Sequence, residues 1–592
     1  MLRTNPRQVS FYSILYHNIP ENHILKLINS AISLNFVNNA LKDSYCSNFG
    51  RPAKEPEMMV RILIIKHLYD LSDEAVINEL LINLAFMWFI GINPEDKDEI
   101  PHSSLLTVFR KQHLKGVSLD NIITEIVRQC IEKGIINEES GLIMDTTHIE
   151  ANTTKKVPER IMKHLIKKIF KEMDEDPHDI PDYTQIEDHR EAKQIMKEAL
   201  EAVIEEAGDK APKSVAEAKA VLESDLFIEQ KGIRSLVDKD ARVGNKSKTQ
   251  QFFGYKAEIA MTSETGIITG VTVNTGAYVD GTDYEYIYST TTASGLKITD
   301  FYGDKAYFRK AILDILKDNS ITPYIPVSAS AYKINEDLYS YTKDSDTWSC
   351  VQGNETYKKK ATSRMKQGKE WHGYKYYFNR EQCRKCPRRE ECIGKATAVG
   401  KILNIGENAP EYYEYSQREK TDEFKEKYKN RAIIEPKNAE MKRFHGLARA
   451  GGYGLVSVEK QVKLTVIAVN LKRICKLISS KKPKKSATAP NAAVDFKIFI
   501  VICQIQGNNG RKTATFSVVS NRPRVCCLSC LTRQQNRPPV CVCLNQTTEP
   551  SPCLTEPSPC LINMMTIVPM HLDIDIQFHR LYHILPDSRN YH

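Results

Sequence analysis

Acidic residues with basic neighbours are the side chains of this sequence best suited to chemistry. Four residues of the stretch YKNRAIIEPKNAEMK are spaced to recur on one face of a 3.6-residue helix: Tyr428, Arg431, Glu435 and Lys442. A face that carries a carboxylate between basic groups suits the joint binding of phosphate and metal. A solvated helix face with an ordinary ion pair is the competing interpretation.

Two aspartates are expected to join Glu435. Asp145 ends the apolar run GLIMD, and Asp304 follows the run ITDFYG, so each is predicted at the end of a buried strand. Such a set could hold two Mg²⁺ ions, for which Mn²⁺ can substitute, because hard cations take oxygen ligands. Arg431 and Lys442 would then lie against phosphates, and Tyr428 would orient the phosphate backbone or stack. Phosphoryl transfer of this kind needs no protein nucleophile.

Pro436, directly after Glu435, complicates the single-helix interpretation. Proline removes a helix hydrogen bond and biases the preceding residue away from helical geometry. The helix therefore either kinks at this point or begins there, with Glu435 near its cap and Tyr428 on a separate turn. Glu440 is the alternative carboxylate, although it breaks the spacing.

The elements around these residues predict a mixed α/β domain between residues 119 and 480. A strand before Asp145 is followed by a hairpin at 252–273, a helix at 286–294, a strand before Asp304, a helix at 308–317 and a strand at 321–327. This order fits a mixed sheet with helices on both faces, the layout of a ribonuclease-H-like core. A charged helical insertion is expected at 155–235, and its lysines are interpreted first as solvated and second as DNA contacts.

Residues 1–118 are predicted to form a helical domain. Short helices after Ser72 and Ser103 caps suit a helix-turn-helix-like DNA-binding unit, in which Arg110 and Lys111 would contact DNA. An ordinary helical bundle with a basic face is equally consistent with the pattern.

A second insertion, rich in strands and cysteine, is expected at 329–410. The spacing Cys383-x-x-Cys386 with Cys392 nearby, and Cys350 as a fourth thiol, suits a structural Zn²⁺. Reduced thiols without metal are the alternative.

Composition bounds the remaining expectations. The 592 residues carry a net charge of +9, which permits nucleic-acid binding without requiring it. No run reaches the about 18–20 apolar residues of a membrane helix, and an intracellular location is expected. Residues 481–592 contain many prolines, eight cysteines and the tandem repeat TEPSPCL. They are predicted to be a largely disordered extension, outside any family pattern.

Together, the motifs Asp145-Thr-Thr, Gly303-Asp304-Lys305-Ala-Tyr307 and Tyr428-x2-Arg431-x3-Glu435-x6-Lys442 resemble those of bacterial insertion-sequence transposases of the DDE class, in the branch with a Tyr-Arg-Glu-Lys signature. The resemblance spans about residues 10–480. It implies a ribonuclease-H-like core, Mg²⁺-dependent cutting at element ends and strand transfer by the freed 3′-hydroxyl. It also implies a homo-oligomer on double-stranded DNA, in the bacterial cytoplasm at the nucleoid. A related nuclease and a DNA-binding derivative without catalysis are the alternatives.

Overall fold

The computed structural model describes residues 11–46, 52–114, 116–224, 234–247, 249–366, 368–393, 400–481, 501–508 and 511–518. The chain divides into two units, Met1–Pro483 and Lys484–His592. No helix within the described ranges is long and apolar enough to cross a membrane.

The first unit begins with short helices. They are α1 (Ile24–Ala31), α2 (Phe36–Leu41), α3 (Pro56–Leu68), α4 (Asp73–Leu80), α5 (Leu84–Ile90), α6 (Ser103–Gln112) and α7 (Gly116–Glu132). Ser72 caps α4 as predicted, because its side chain accepts a hydrogen bond from the Ala75 amide. The Ser103 cap is wrong: His102 caps α6, and Ser103 is its first residue. Helix α3 is buried on nearly all sides, and its Glu57 and Arg61 pair at 2.8 Å.

A six-stranded mixed sheet follows. Its strands are β1 (Glu139–Glu150), β2 (Arg242–Asn245), β3 (Gln251–Thr262), β4 (Ile268–Thr275), β5 (Lys297–Tyr302) and β6 (Thr322–Tyr324). Strand β1 lies between β3, which is antiparallel to it, and β5, which is parallel. Strand β6 continues the parallel side, while β2 and β4 both pair with the other edge of β3. The predicted hairpin is confirmed as β3 and β4.

Helices cover both faces of this sheet, as the sequence predicts. Helix α7 packs on one face with α18 (Leu455–Lys481), and the opposite face packs against α11 (Tyr284–Ala293) and α12 (Lys310–Asp318). Alternate residues of β1 enter the two cores, because successive side chains of a strand point to opposite faces. Ile143 joins the first core, and Leu142 and Met144 join the second. The first core also contains the apolar side chains of α1 to α6.

Two inserted segments have cores of their own. The first contains α8 (Pro158–Met173), α9 (His189–Ala207) and α10 (Pro212–Leu222), which pack around residues such as Leu165 and Leu200. The second contains β7 (Tyr339–Thr342), β8 (Thr347–Cys350), β9 (Thr356–Lys366), β10 (Lys369–Phe378), β11 (Ile402–Gly406), α13 (Arg380–Arg384) and α14 (Arg389–Ile393). Trp348 is fully buried at the centre of this second core.

The stretch from Tyr428 to Lys442 is not one helix. Helices α15 (Ala409–Glu419) and α16 (Asp422–Tyr428) lead into a 3₁₀ turn at Lys429–Ile433, after which α17 spans Ile434–Phe444. Pro436 is the third residue of α17, where its missing amide hydrogen would have no partner within the helix. Of the two alternatives that the sequence leaves open, the helix start near Glu435 is therefore the one observed.

In the second unit the structure describes one antiparallel hairpin, β12 (Val501–Asn508) with β13 (Arg511–Val518). Outside this hairpin the structure does not describe residues 482–592, so the largely disordered extension stays a prediction. The TEPSPCL repeat and most of the tail cysteines lie outside the described residues.

A buried ion pair joins α7 to α18 and provides a test of the shared core. Lys463 Nζ lies 2.7 Å from Asp120 Oδ2, and their side chains are 3% and 7% exposed. The Tyr286 hydroxyl on α11 also donates to this carboxylate, at 2.8 Å. We expect Lys463→Met to lower the free energy of unfolding by about 3 kcal/mol, because it leaves the buried carboxylate without its cation. Urea denaturation measures this loss.

The matched control is Lys476→Met, at an exposed position of the same helix. It should change stability by no more than about 0.5 kcal/mol. Equal losses for the two variants would contradict the role of the buried pair.

Candidate active site

Asp145 lies within β1 and not at its end, so that part of the prediction is wrong. Strand β1 continues to Glu150 because β3 pairs with it along this whole length, from Leu142↔Thr262 to Glu150↔Gly254. Strand β5, in contrast, pairs with β1 only as far as Ile143↔Tyr302. Asp145 is therefore the second residue beyond the point where the parallel neighbour leaves, and its flank is open on that side.

Asp304 occupies the matching position on the other strand. It follows β5 by two residues, as Asp145 follows the last paired residue of β1. Its Oδ1 accepts a hydrogen bond of 2.8 Å from the Ala306 amide and so caps the 3₁₀ turn Lys305–Tyr307. The separation of two parallel strands thus brings together the two aspartates that the sequence singles out.

Arg431, in the 3₁₀ turn before α17, links Asp145 to Glu435. Its Nη2 lies 3.4 Å from Asp145 Oδ1, and its Nη1 lies 3.4 Å from Glu435 Oε1. The Asp145 side chain is 18% exposed and that of Glu435 is 62% exposed. Arginine therefore connects the partly buried carboxylate of Asp145 to the solvent-facing carboxylate of Glu435.

The charges of this cluster are incompletely balanced. Burial raises the pKa of Asp145 to about 6, and the neighbouring Asp304 and Asp280 add to this rise. The Arg431 guanidinium and the Thr146 amide act in the opposite direction. Burial opposes the charge of Arg431, yet Asp145 and its acidic neighbours hold the arginine pKa above its usual value. A site with this excess of negative charge favours a bound cation.

The donor set fits a hard divalent cation. Asp145 and Asp304 offer carboxylate oxygens, which Mg²⁺ prefers. Asn438 Nδ2 lies 3.4 Å from Asp145 Oδ2, and Asn438 Oδ1 is buried with no hydrogen-bond partner. Across the described ranges, no three Cys, His, Asp or Glu side chains are already grouped at metal-ligand spacing. Glu435 accordingly contacts Arg431 and not the aspartates.

Glu440, the alternative carboxylate, has a different environment. It accepts ion pairs of 2.9 Å from both Lys437 and Lys472. Burial works to raise its pKa, but the hydrogen bonds from the two lysines outweigh burial and hold the pKa at about 2. The contact with Lys472 ties α17 to α18, so Glu440 is a structural residue and Glu435 is the carboxylate of α17 that faces the cluster.

The remaining residues of the signature surround the cluster. Lys442 Nζ lies 3.3 Å from His148 Nδ1 on β1. Burial, followed by the charge of Lys246, lowers the pKa of Lys442 to about 8. The Tyr428 ring stacks on Phe424 with centroids 5.8 Å apart. Arg431 and Tyr428 lie near the aspartates, whereas Lys442 lies farther along β1.

Sequence reasoning missed Glu258, a fully buried carboxylate on β3 opposite Thr146. It accepts hydrogen bonds from the Tyr307 hydroxyl at 2.7 Å, the Gly281 amide at 2.6 Å and the Tyr278 hydroxyl. Tyr307 ends the 3₁₀ turn that Asp304 caps, so Glu258 anchors that turn. A lone glutamate within the apolar strand KAEIAM was the available signal.

Of the two residues predicted to contact DNA in the helical domain, one is engaged in an ion pair and the other is exposed to solvent. The Arg110 guanidinium pairs with Asp73 at the start of α4, while Lys111 beside it is exposed.

The four predicted zinc ligands lie together in the second insertion and line one cavity.

Glu435 and Glu440 lie on the same helix but have different surroundings. Replacing each of them should therefore change the free energy of unfolding by a different amount. We expect Glu440→Gln to lower the free energy of unfolding at pH 7 by about 1 kcal/mol, a value reduced for the partial solvent screening of its ion pairs. Because the folded-state pKa lies below the usual 4.5, this stabilisation is present above about pH 4.5 and is lost as the pH falls toward 2. Chemical denaturation as a function of pH measures it.

The exposed Glu435 provides the matched variant. Glu435→Gln should leave stability within about 0.5 kcal/mol of the wild type across this pH range. A larger loss for Glu435→Gln than for Glu440→Gln would reverse the two assignments.

Two family models match the chain. "Transposase domain (DUF772)" matches residues 13–112, which contain α1 to α6. "Transposase DDE domain" matches residues 349–475, which contain Arg431 and Glu435. The chain is also 29% identical over 100 residues to "Uncharacterized protein ORF8 in nfe locus" of Rhizobium meliloti, a match of 17% of this chain and 48% of that protein. It thus spans about half the length of that relative. Both family matches are therefore to transposase domains, and the second is to a transposase domain of the DDE class.

Proposed function

We propose that the chain is a DDE-class transposase that binds the ends of its own insertion element and cuts and joins DNA at Asp145, Asp304 and Glu435. The observation that supports the proposal is the matching position of Asp145 and Asp304, each two residues beyond the last residue that pairs β1 with β5, with Arg431 3.4 Å from both Asp145 and Glu435. A phosphodiester placed there would have acidic groups beside its reacting atoms and a guanidinium beside its charge.

A ribonuclease-H-like core is the finer fold that we propose. Its support is the strand order: β4, β3 and β1 run antiparallel to one another in turn, and β5 and β6 extend the sheet parallel to β1. The helices on both faces agree with this arrangement. The proposed core places the carboxylates on a central strand and on the strand beside it.

Asp145, Asp304 and Glu435 would hold divalent cations, with Mg²⁺ as the proposed ion. When bound, such ions neutralise phosphate charge and lower the pKa of an attacking water or hydroxyl. The residues of the chain supply the rest: Asp145 offers a buried carboxylate in a fixed strand, and Asp304 one fixed by its cap to Ala306. Arg431 is the nearest cation for phosphate charge. Such positioning and charge neutralisation account for most catalysis of phosphoryl transfer.

The helices before residue 118 are proposed to bind double-stranded DNA at the element ends. Lys111 is exposed and can approach a phosphate, whereas Arg110 is engaged by Asp73. A homo-oligomer that pairs two ends is part of the proposal, since transposition joins both ends of one element.

Cleavage of labelled end DNA tests the site. With Mg²⁺ present, we expect Asp145→Asn, Asp304→Asn and Glu435→Gln each to reduce cleavage by about 10³-fold or more, because each substitution removes an ionised oxygen donor. Glu440→Gln should stay within about 10-fold of the wild type, since its carboxylate holds α17 to α18. Circular dichroism verifies that every variant is folded at the assay temperature.

Cleavage that survives Asp145→Asn or Asp304→Asn would overturn the site. A folded Glu440→Gln protein as inactive as Glu435→Gln would overturn the choice of glutamate. Specific binding without cleavage by the wild type would favour a DNA-binding derivative that has lost catalysis.

Neighbouring residues of α6 test the DNA-binding face. We expect Lys111→Ala to weaken binding of end DNA several-fold at low salt and to reduce its salt dependence, because one phosphate contact is lost. Arg110→Ala should instead lower thermal stability, because it removes the partner of Asp73. Fluorescence anisotropy and thermal melting measure the two effects. Unchanged binding by Lys111→Ala across the salt range would exclude this face.

A further inference from the structure

A cavity of about 250 Å³ in the second insertion is lined by all four cysteines of that segment. They are Cys350, Cys383, Cys386 and Cys392. All four are free thiols. Convergence on one cavity is more specific than the sequence spacing alone, because Cys350 is more than thirty residues from the others in the chain.

Tight turns bring the thiols to this cavity. Cys350 ends β8, and the Gly353 amide donates to its carbonyl at 2.8 Å. Cys383 lies in α13, and the amide of Cys386 approaches its carbonyl at 3.4 Å in the turn that follows. Cys392 comes from α14. Four thiols thus reach the cavity from three short segments. In one of these segments two residues separate Cys383 from Cys386.

Polar groups already contact two of the sulfurs. Asn354 is 8% exposed, and its Nδ2 lies 3.3 Å from Cys383 Sγ. The Tyr339 hydroxyl lies 3.8 Å from Cys392 Sγ. Donors to sulfur stabilise a thiolate in the shell around a metal. Asn354 also lines the cavity, and its Oδ1 is buried without a hydrogen-bond partner. The cavity therefore contains a polar atom whose hydrogen-bonding capacity is not satisfied.

Two basic side chains also lie at the cavity. Lys401 and Arg389 both line it. Lys401 Nζ also donates to the Cys392 carbonyl at 2.7 Å, which fixes the ammonium beside that cysteine. Thiolates, and not thiols, are the metal ligands of cysteine.

The size of the local core supplies a reason for a metal. The second insertion has its own small cluster of buried side chains around Trp348. A small core buries too little apolar surface to be stable alone, and a structural metal commonly compensates. Within the described residues, no three possible ligands are yet grouped at metal spacing, so the thiols surround the cavity without meeting at a point.

We propose that this cavity binds one structural Zn²⁺ through Cys350, Cys383, Cys386 and Cys392. Four thiolates select a soft, tetrahedral ion such as Zn²⁺, whereas Mg²⁺ requires oxygen ligands. The site is therefore chemically distinct from the carboxylate cluster. Binding releases the thiol protons and draws β8, α13 and α14 together, so metal binding and folding of the insertion are linked.

Metal content of the purified full-length protein provides the first test. We expect Cys383→Ser and Cys386→Ser each to contain about one zinc less per chain than the wild type by inductively coupled plasma mass spectrometry. The control is Cys46→Ser, an exposed cysteine, which should leave the zinc content unchanged. The eight cysteines after residue 500 are common to all variants, so the difference counts the proposed site. Equal zinc content in the wild type and both variants would overturn the proposal.

Thiol protection in the wild type provides a second test that needs no variant. Native protein is treated with iodoacetamide with and without a zinc chelator, and modified cysteines are mapped by mass spectrometry. The four cavity cysteines should react only after chelation, while Cys46 should react in both samples. Reactivity of the four thiols that does not depend on the chelator, or a disulfide among them, would overturn the proposal.

Discussion

The rest of the proposed site depends on one electrostatic constraint, the placement of a carboxylate on a strand that is buried on both faces. Asp145 follows three apolar residues that enter the two cores, and only the departure of β5 leaves it an open flank. Taking a carboxylate out of water is unfavourable unless a cation compensates. Here Arg431 provides part of that compensation from a turn 286 residues later in the chain. The return of the chain through α15 and α16 to the sheet is therefore an electrostatic requirement as much as a packing one.

The break in the signature stretch follows from the same constraint. A single continuous helix would fix Arg431 and Glu435 one turn apart with no freedom relative to β1. The 3₁₀ turn and the new start at Ile434 instead bring the arginine over Asp145 while Ile434 and Met441 remain buried. Pro436 is tolerated because it lies in the first turn of α17. The helix then separates its two glutamates: one faces the aspartates, and the other is held by Lys437 and Lys472.

Sequence reasoning reached those parts of the fold that local patterns determine. The β3–β4 hairpin and the Ser72 cap follow from alternation and cap chemistry, and the position of Asp304 just after β5 follows from the end of that strand. The length of β1 could not be predicted, because it depends on pairing with a strand about 110 residues later. The engagement of Arg110 by Asp73 and the anchoring role of Glu258 also arise from contacts distant in sequence. Residue type identified the candidate carboxylates, but only tertiary structure separated Glu435 from Glu440.

The shared core gives the proposed DNA-binding helices a defined position relative to the carboxylates. His445, directly after α17, contacts the His67 carbonyl of α3 at 2.8 Å, and His67 approaches Thr465 of α18 at 3.2 Å. Lys460 of α18 donates to the Arg110 carbonyl at the end of α6. These contacts connect the helices proposed to bind DNA to α17 through packed side chains of the core. DNA held by α6 would therefore be positioned by a close-packed interior. Such an interior has low compressibility, so a displacement of one helix is passed on to its neighbours. Under the proposed function, changes in the packing of α18 should therefore alter the position of DNA cleavage as well as the stability of the protein.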